Sequence, residues 1–265
     1  MSTGLAEQRA LQRKIYQLEA DEKDEQIEEA WLEAIRKTYS GEASGFILGV
    51  PSDTGAGFRR GANLAPAALR ERRLSAWPRH ALSAPCFADV GDIRVIPHLL
   101  SEEMISSEQR RRAREALYED PTAPFPVTPL GICQSALRHL IGPESDAIPI
   151  VLGGDHSISW PAFLAAFQRW ERSAGERVGI LHFDAHTDLL PDRLGVKYCF
   201  ATWAYHANEL LGRDGRLVQL GIRASGRDQA HWESTLGVHQ IWADALRSQE
   251  DSGIEVIADQ LIDHF

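Results

Sequence analysis

Short apolar runs recur along the chain, and each is followed by glycine or polar residues. We predict that these runs form β-strands at 46–50, 86–92, 148–152, 178–184, 217–223 and 238–242. Between these runs we predict a charged helix near 103–118 and helices near 130–141, near 200–211 and from about 253 to the last residue. We also predict a helix with Pro66 in its first turn and one from Ser157 through Phe163, Phe167 and Trp170. Strands that alternate with helices predict an α/β fold, a three-layer α/β/α arrangement around a mainly parallel sheet.

The first forty residues carry a helical pattern of their own. Apolar residues recur at helical spacing in two groups, Leu11, Ile15 and Leu18, then Ile27, Trp31 and Ile35. This predicts one helix or a helix pair over residues 5 to about 40. We expect it to pack on its own domain or on a neighbouring subunit, and a helix dedicated to a binding partner is the alternative. We therefore divide the chain into an N-terminal helical extension, 1–44, and an α/β domain, 45–265.

Two polar stretches lie at the carboxyl ends of predicted strands, where parallel sheets place their binding sites. They are Gly153-Gly154-Asp155-His156-Ser157 and His182-Phe183-Asp184-Ala185-His186-Thr187-Asp188. Alternate side chains of a strand point to one face, so Asp184, His186 and, if the strand continues that far, Asp188 are expected to converge. Two carboxylates and one imidazole, with His156 from another strand end, predict a site for a hard or borderline divalent ion such as Mn²⁺.

The same two stretches resemble signature motifs of the ureohydrolases, the family of arginase, agmatinase and formiminoglutamase. The resemblance implies that His156 and Asp188 bind one Mn²⁺, that His186 binds a second, and that Asp184 bridges the two ions. It also implies that a water between the ions becomes the hydroxide that attacks a guanidinium or amidine carbon, which would make Asp184 and Asp188 catalytic residues. The expected function is metal-dependent hydrolysis of a C–N bond in a small guanidino or amidino substrate.

A third ureohydrolase motif, Ser-x-Asp-x-Asp-x-x-Asp-Pro, is absent from the 265 residues. In the family's order of elements it would follow the last predicted helix, so the domain is expected to be incomplete at its C-terminus, as a fragment or as a natural short form. Without that motif the second metal keeps only Asp184 and His186. Two rival functions stay open: a metal-depleted homologue that acts as a scaffold subunit, and an arginase-fold deacetylase with a single Zn²⁺.

Neighbouring residues are expected to support this site. We interpret Gly153 and Gly154 as turn residues that let the strand deliver His156. Asp155 is expected to orient a metal ligand, because metal-bound imidazoles usually need such a partner. His182 shares strand parity with Asp184 and His186, which would allow it to lie beneath the site. We interpret it instead as a buried, hydrogen-bonded core histidine.

Composition and charge bear on the binding partners and on the cellular compartment. The formal net charge of −10 argues against non-specific nucleic-acid binding, which needs clustered Lys and Arg. Three scattered cysteines, at positions 86, 133 and 199, fit a reducing cytoplasm better than a disulfide framework. No apolar stretch has the length of a bilayer span. We expect a cytoplasmic protein without membrane partners, and the resemblance implies a homo-oligomer, a trimer or a hexamer.

Overall fold

The computed structural model describes residues 3–19, 23–76, 87–142, 145–247 and 253–264. The chain divides into two compact units, Met1–Ala165 and Ala166–Phe265. Each unit contains one three-stranded parallel sheet with helices beside it. The predicted α/β class with parallel strands is therefore confirmed, with the strands arranged three to a sheet.

The sheet of the first unit has the order β2-β1-β3, with β1 at Gly45–Val50, β2 at Phe87–Asp92 and β3 at Ile148–Gly153. All six residues of β1 are buried. A central parallel strand covered on both faces is expected to be continuously apolar, as β1 is. The α-helices of this unit are Thr3–Ile15, Asp24–Tyr39, Ala65–Ala76, Ser107–Tyr118, Pro129–Leu140 and Ser159–Ala166, the last of which ends one residue into the second unit.

The two N-terminal helices pack on the first unit. Trp31 donates its indole N–H to the Val90 carbonyl at 2.8 Å, and the Tyr16 hydroxyl donates to the Asp89 carbonyl at 3.1 Å. Ala34 lies in the same apolar core as the strands β1 and β2. The expectation that this segment packs on its own domain is confirmed, whereas the proposed division between residues 44 and 45 stays a prediction.

A buried ion pair connects a helix to the end of β2. The guanidinium of Arg70 donates to both carboxylate oxygens of Asp89 at 2.9 Å, and it also contacts Asp92. The side chains of Arg70 and Asp89 are 3% and 7% exposed. Planar guanidinium and carboxylate groups match in this two-bond geometry, which fixes the helix Ala65–Ala76 against the strand.

The sheet of the second unit has the order β4-β5-β6, with β4 at Ile180–Phe183, β5 at Leu217–Ile222 and β6 at His239–Trp242. Its α-helices are Trp203–Leu210, Gln229–Leu236, Ala243–Arg247 and Gly253–His264, and a π-helical segment covers Phe167–Ser173. A register shift interrupts the pairing of β5 with β6. Gly221 lies at this bulge with φ +87°, a conformation that glycine adopts without strain.

The predicted elements agree with the structure in most of the described chain. Every predicted strand is present, and its ends differ from the prediction by at most two residues; Cys86, the expected first residue of β2, lies outside the described residues. The helices Gln229–Leu236 and Ala243–Arg247 were not expected. In the described part of the chain, no helix combines the length and the hydropathy that a membrane span requires.

Candidate metal centre

The Asp184 to Asp188 segment follows β4 but is not a continuation of it. The strand ends at Phe183, and Asp188 has a left-handed backbone with φ +51°. Hydrogen bonds to the neighbouring β5 hold the segment, from Asp184 N to the Leu220 carbonyl at 3.1 Å and from Arg223 N to the Ala185 carbonyl at 2.9 Å. The condition set for Asp188, that the strand continues that far, is not met, because β4 ends at Phe183 and an irregular segment positions these side chains.

The Asp184 carboxylate lies between two histidines. Its Oδ2 is 3.3 Å from Nε2 of His182, and its Oδ1 accepts the backbone N–H of His186 at 2.9 Å. The Nδ1 atom of His186 is also 3.3 Å from that Oδ1. The side chain is 20% exposed, so Asp184 is restrained on both oxygens and still reaches the surface of its unit.

Asp188 is the more deeply buried of the two carboxylates, at 6% exposure. Its Oδ2 accepts the indole N–H of Trp203 at 3.0 Å, and its backbone carbonyl accepts from Tyr205 N at 3.2 Å. Both donors come from the helix Trp203–Leu210. A carboxylate tied to one helix by its side chain and its backbone has little rotational freedom, which suits a metal ligand.

His182, Asp184 and Asp188 form a compact group. One potential ligand atom of each lies within 4.8 Å of the corresponding atoms of the others. His182 is buried and hydrogen-bonded, as the sequence predicted, but it also contacts Asp184. The exposed ring of His186, at 65%, is beside Asp184.

His156 belongs to the first unit, where it begins the short 3₁₀-helix His156–Ile158 directly after β3. The buried carboxylate of Asp155 accepts N–H donors from Ser157 at 2.8 Å and from Gly55 at 3.0 Å. Burial raises the pKa of Asp155 above its ordinary value, and these hydrogen bonds oppose the shift. Asp155 thus fixes the turn that carries His156, by binding the backbone of that turn and of the loop after β1.

Gly154 is required in this turn by close approach of the backbone. A Cβ atom there would lie 2.0 Å from the Ser52 carbonyl oxygen and 2.8 Å from that of Val50. A larger residue would push β3 away from the loop after β1, and His156 with it. The structure therefore supports the interpretation that Gly154 lets β3 deliver His156, because no side chain fits at this position.

The donor set is chemically suited to a divalent metal ion. Carboxylate oxygens and imidazole nitrogens are the ligands that Mn²⁺ and similar ions take in proteins. Two restrained carboxylates lie together within one unit, and the ring of His186 beside Asp184 offers a nitrogen donor. The residues therefore fit a bound cation, and Asp184 and Asp188 are its best-defined candidate ligands.

Two residues with a role at this site were missed by sequence reasoning. Trp203 donates to Asp188, and Gln219 donates to Nδ1 of His182 at 2.9 Å. A signal for Gln219 existed, since it interrupts the apolar run Leu217-Val218-Gln219-Leu220, and a polar residue inside a buried strand must have a hydrogen-bond partner. The role of Trp203 follows only from the three-dimensional arrangement.

Comparison with known proteins identifies a family and several relatives. A sequence profile of the arginase family matches residues 43–265. The chain is 26% identical over 205 residues to an agmatinase of Bacillus subtilis strain 168, covering 75% of this chain and 58% of that protein. It is 33% identical over 189 residues to the human mitochondrial guanidino acid hydrolase, covering 68% of this chain and 44% of that protein. The chain thus spans roughly half the length of these two relatives.

Solved structures show the same fold. The structure of Trypanosoma cruzi formiminoglutamase with Mn²⁺ superposes with a TM-score of 0.60 at 20% identity, covering 86% of this chain and 69% of that chain. At this identity the match describes the α/β architecture of the chain and nothing finer.

Proposed function

This chain belongs to the arginase family, and from that premise we propose that it is a metal-dependent hydrolase that cleaves a C–N bond of a guanidino or amidino compound. The observation that carries the proposal is the pair of restrained carboxylates, Asp184 and Asp188, which lie close together inside a family motif. Relatives named agmatinase and guanidino acid hydrolase support the substrate class.

The proposed metal ligands are His156, Asp184, His186 and Asp188. Asp184 would be shared by two ions, a role that the family resemblance assigns to it. His156 and Asp188 are assigned to the first ion and His186 to the second. Mn²⁺ is the proposed metal, supported by the carboxylate-rich donor set and by the Mn²⁺ named in the formiminoglutamase structure.

The bound ions would supply acidity to a water molecule and positive charge beside the carbon under attack. The chain's own residues orient the reactants and move the proton. Asp188 takes the proton of the attacking water on its carboxylate, whose position Trp203 fixes by the 3.0 Å hydrogen bond. The proton then passes to the nitrogen that leaves as an amine when the C–N bond breaks.

We also propose a cellular location and an oligomeric state for the protein. Cys133 and Cys199 are buried free thiols, which supports a reducing compartment, and we propose the cytoplasm. The proposed assembly is a homo-oligomer, a trimer or a hexamer, as expected from the family resemblance.

The proposal is tested by incubating the Mn²⁺-treated protein with agmatine, arginine, 4-guanidinobutyrate and formiminoglutamate. Urea, formamide and amine release are measured. An Asp188→Asn variant serves as the matched control, because it keeps the size of the side chain and removes its charge. We expect turnover of at least one compound by the wild type and a loss of at least about 100-fold in the variant. Turnover that survives in Asp188→Asn, or deacetylase activity with one bound Zn²⁺, would contradict the proposed function.

A further inference from the structure

A line of buried side-chain hydrogen bonds runs behind the candidate metal centre, from β6 across β5 to β4. The Trp242 indole N–H donates to Oε1 of Gln240 at 2.9 Å. The amide of Gln240 donates to Oε1 of Gln219 at 2.7 Å. Gln219 in turn faces Nδ1 of His182 at 2.9 Å and the Thr187 carbonyl at 2.6 Å through its Nε2.

The groups at the two ends, the Trp242 indole and the Thr187 carbonyl, determine which atom of each glutamine amide donates and which accepts. An indole N–H can only donate, so Gln240 must present its oxygen to Trp242 and its N–H to Gln219. A backbone carbonyl can only accept, so Gln219 must present its nitrogen to Thr187. Reversing either amide would place two donors or two acceptors against each other. Both ends therefore require the same orientation.

This direction determines the tautomer of His182. Because the Gln219 amide nitrogen donates to Nδ1, that ring atom must accept, and the ring proton is on Nε2. Nε2 is the atom that lies 3.3 Å from Oδ2 of Asp184. We propose that His182 is a positioning residue, which donates Nε2–H to Asp184 and orients it as a ligand, and that it is not itself a metal ligand. Only the statement that Asp184 binds a metal ion rests on the proposed function. The tautomer of His182 does not depend on it.

Burial makes this arrangement rigid. Gln219, Gln240 and His182 are 0%, 2% and 4% exposed, so an amide in the wrong orientation would leave buried polar atoms unsatisfied. The Trp203 ring meets the His182 ring edge to face, with centroids 4.9 Å apart. Trp203 also donates to Asp188. The two carboxylates of the site are thereby oriented by two side chains that pack against each other.

The tautomer is measured directly by ¹⁵N NMR of the metal-free protein labelled at histidine, with the His182 signals assigned from a His182→Gln variant. We expect the proton on Nε2 and none on Nδ1. A proton on Nδ1 would overturn the inference. Because no metal is present, this result does not depend on whether the proposed function is correct.

Mn²⁺ titration of three variants tests the positioning role. His182→Leu removes the donor to Asp184, and we expect Mn²⁺ affinity to fall about 10- to 100-fold. His182→Gln restores an N–H near the position of Nε2, and its affinity should stay close to that of the wild type. His231→Gln, a substitution in the helix Gln229–Leu236, is the control and should leave affinity unchanged.

Equal losses in His182→Leu and His182→Gln would identify His182 as a metal ligand and overturn the inference. No loss in either variant would show that Asp184 needs no donor at this position, and would overturn it as well. If the wild type binds no Mn²⁺, the proposed function fails, and the NMR measurement alone decides the tautomer.

Discussion

Trp203 donates its indole N–H to Oδ2 of Asp188 at 3.0 Å, and Asp188 has φ +51°. The Asp188 side chain is buried, and the indole N–H holds its carboxylate in place. A carboxylate that is buried and also charged needs such a donor, because the loss of its hydration is otherwise uncompensated.

Trp203→Phe should therefore weaken metal binding and leave the fold in place. The substitution removes the N–H donor to Asp188 but keeps an aromatic ring beside His182. We expect Mn²⁺ affinity to fall about 10-fold or more, as measured by equilibrium titration. Trp232→Phe is the matched control, since that indole donates to Ser225 and not to a carboxylate of the site. The same loss in both variants would show that the hydrogen bond to Asp188 is unimportant.

Arg70→Leu should strongly destabilise the first unit. The substitution leaves the Asp89 carboxylate buried without its guanidinium partner, and breaking a buried ion pair in this way costs about 3–5 kcal/mol. Arg111→Leu, which removes an exposed pair with Glu108, should cost far less, because solvent screens exposed ion pairs. Urea unfolding of both variants gives the comparison. A similar cost at the two positions would mean that the Arg70 pair does not stabilise the fold.

The Cys133 thiol should make stability depend on pH in alkaline solution. Burial raises the pKa of Cys133 from 9.0 to about 12. Below pH 9 both folded and unfolded states keep the proton, so this group contributes no pH dependence. Between pH 9 and 12 the unfolded thiol ionises first, the unfolded state binds fewer protons, and the free energy of unfolding falls by up to about 1.4 kcal/mol per pH unit.

Comparison with Cys133→Ala isolates this contribution, because the other cysteines are present in both proteins. Urea unfolding at pH 8 and pH 10 should show that the wild type loses stability relative to the variant as pH rises. A difference that stays constant with pH would mean that the Cys133 thiol is not held in its neutral form by the fold.

The strands and the candidate ligands could be predicted from the sequence because both depend on local patterns. The apolar runs that became β1 and β5 are surrounded by turn residues, and Asp184 and Asp188 lie within a recognisable motif. The helices Gln229–Leu236 and Ala243–Arg247 are short, five to eight residues, and their periodicity is too brief to detect.

The supporting residues could not be assigned in this way. Trp203 and Asp188 are fifteen residues apart, and Gln219 reaches His182 across thirty-seven residues. Such contacts depend on strand register and on the position of a helix, neither of which can be predicted from the local sequence pattern alone. His182 illustrates the difference, since its burial was predicted, whereas its contact with Asp184 depends on where β4 ends.

The central claim is that Asp184 bridges two metal ions and that His186 binds only one of them. Metal content measured by mass spectrometry after Mn²⁺ loading and gel filtration tests it most directly, in the wild type, Asp184→Ala and His186→Ala. We predict that Asp184→Ala retains neither ion, whereas His186→Ala keeps the ion assigned to His156 and Asp188. Equal losses in the two variants, or full Mn²⁺ content in Asp184→Ala, would contradict the bridging role of Asp184.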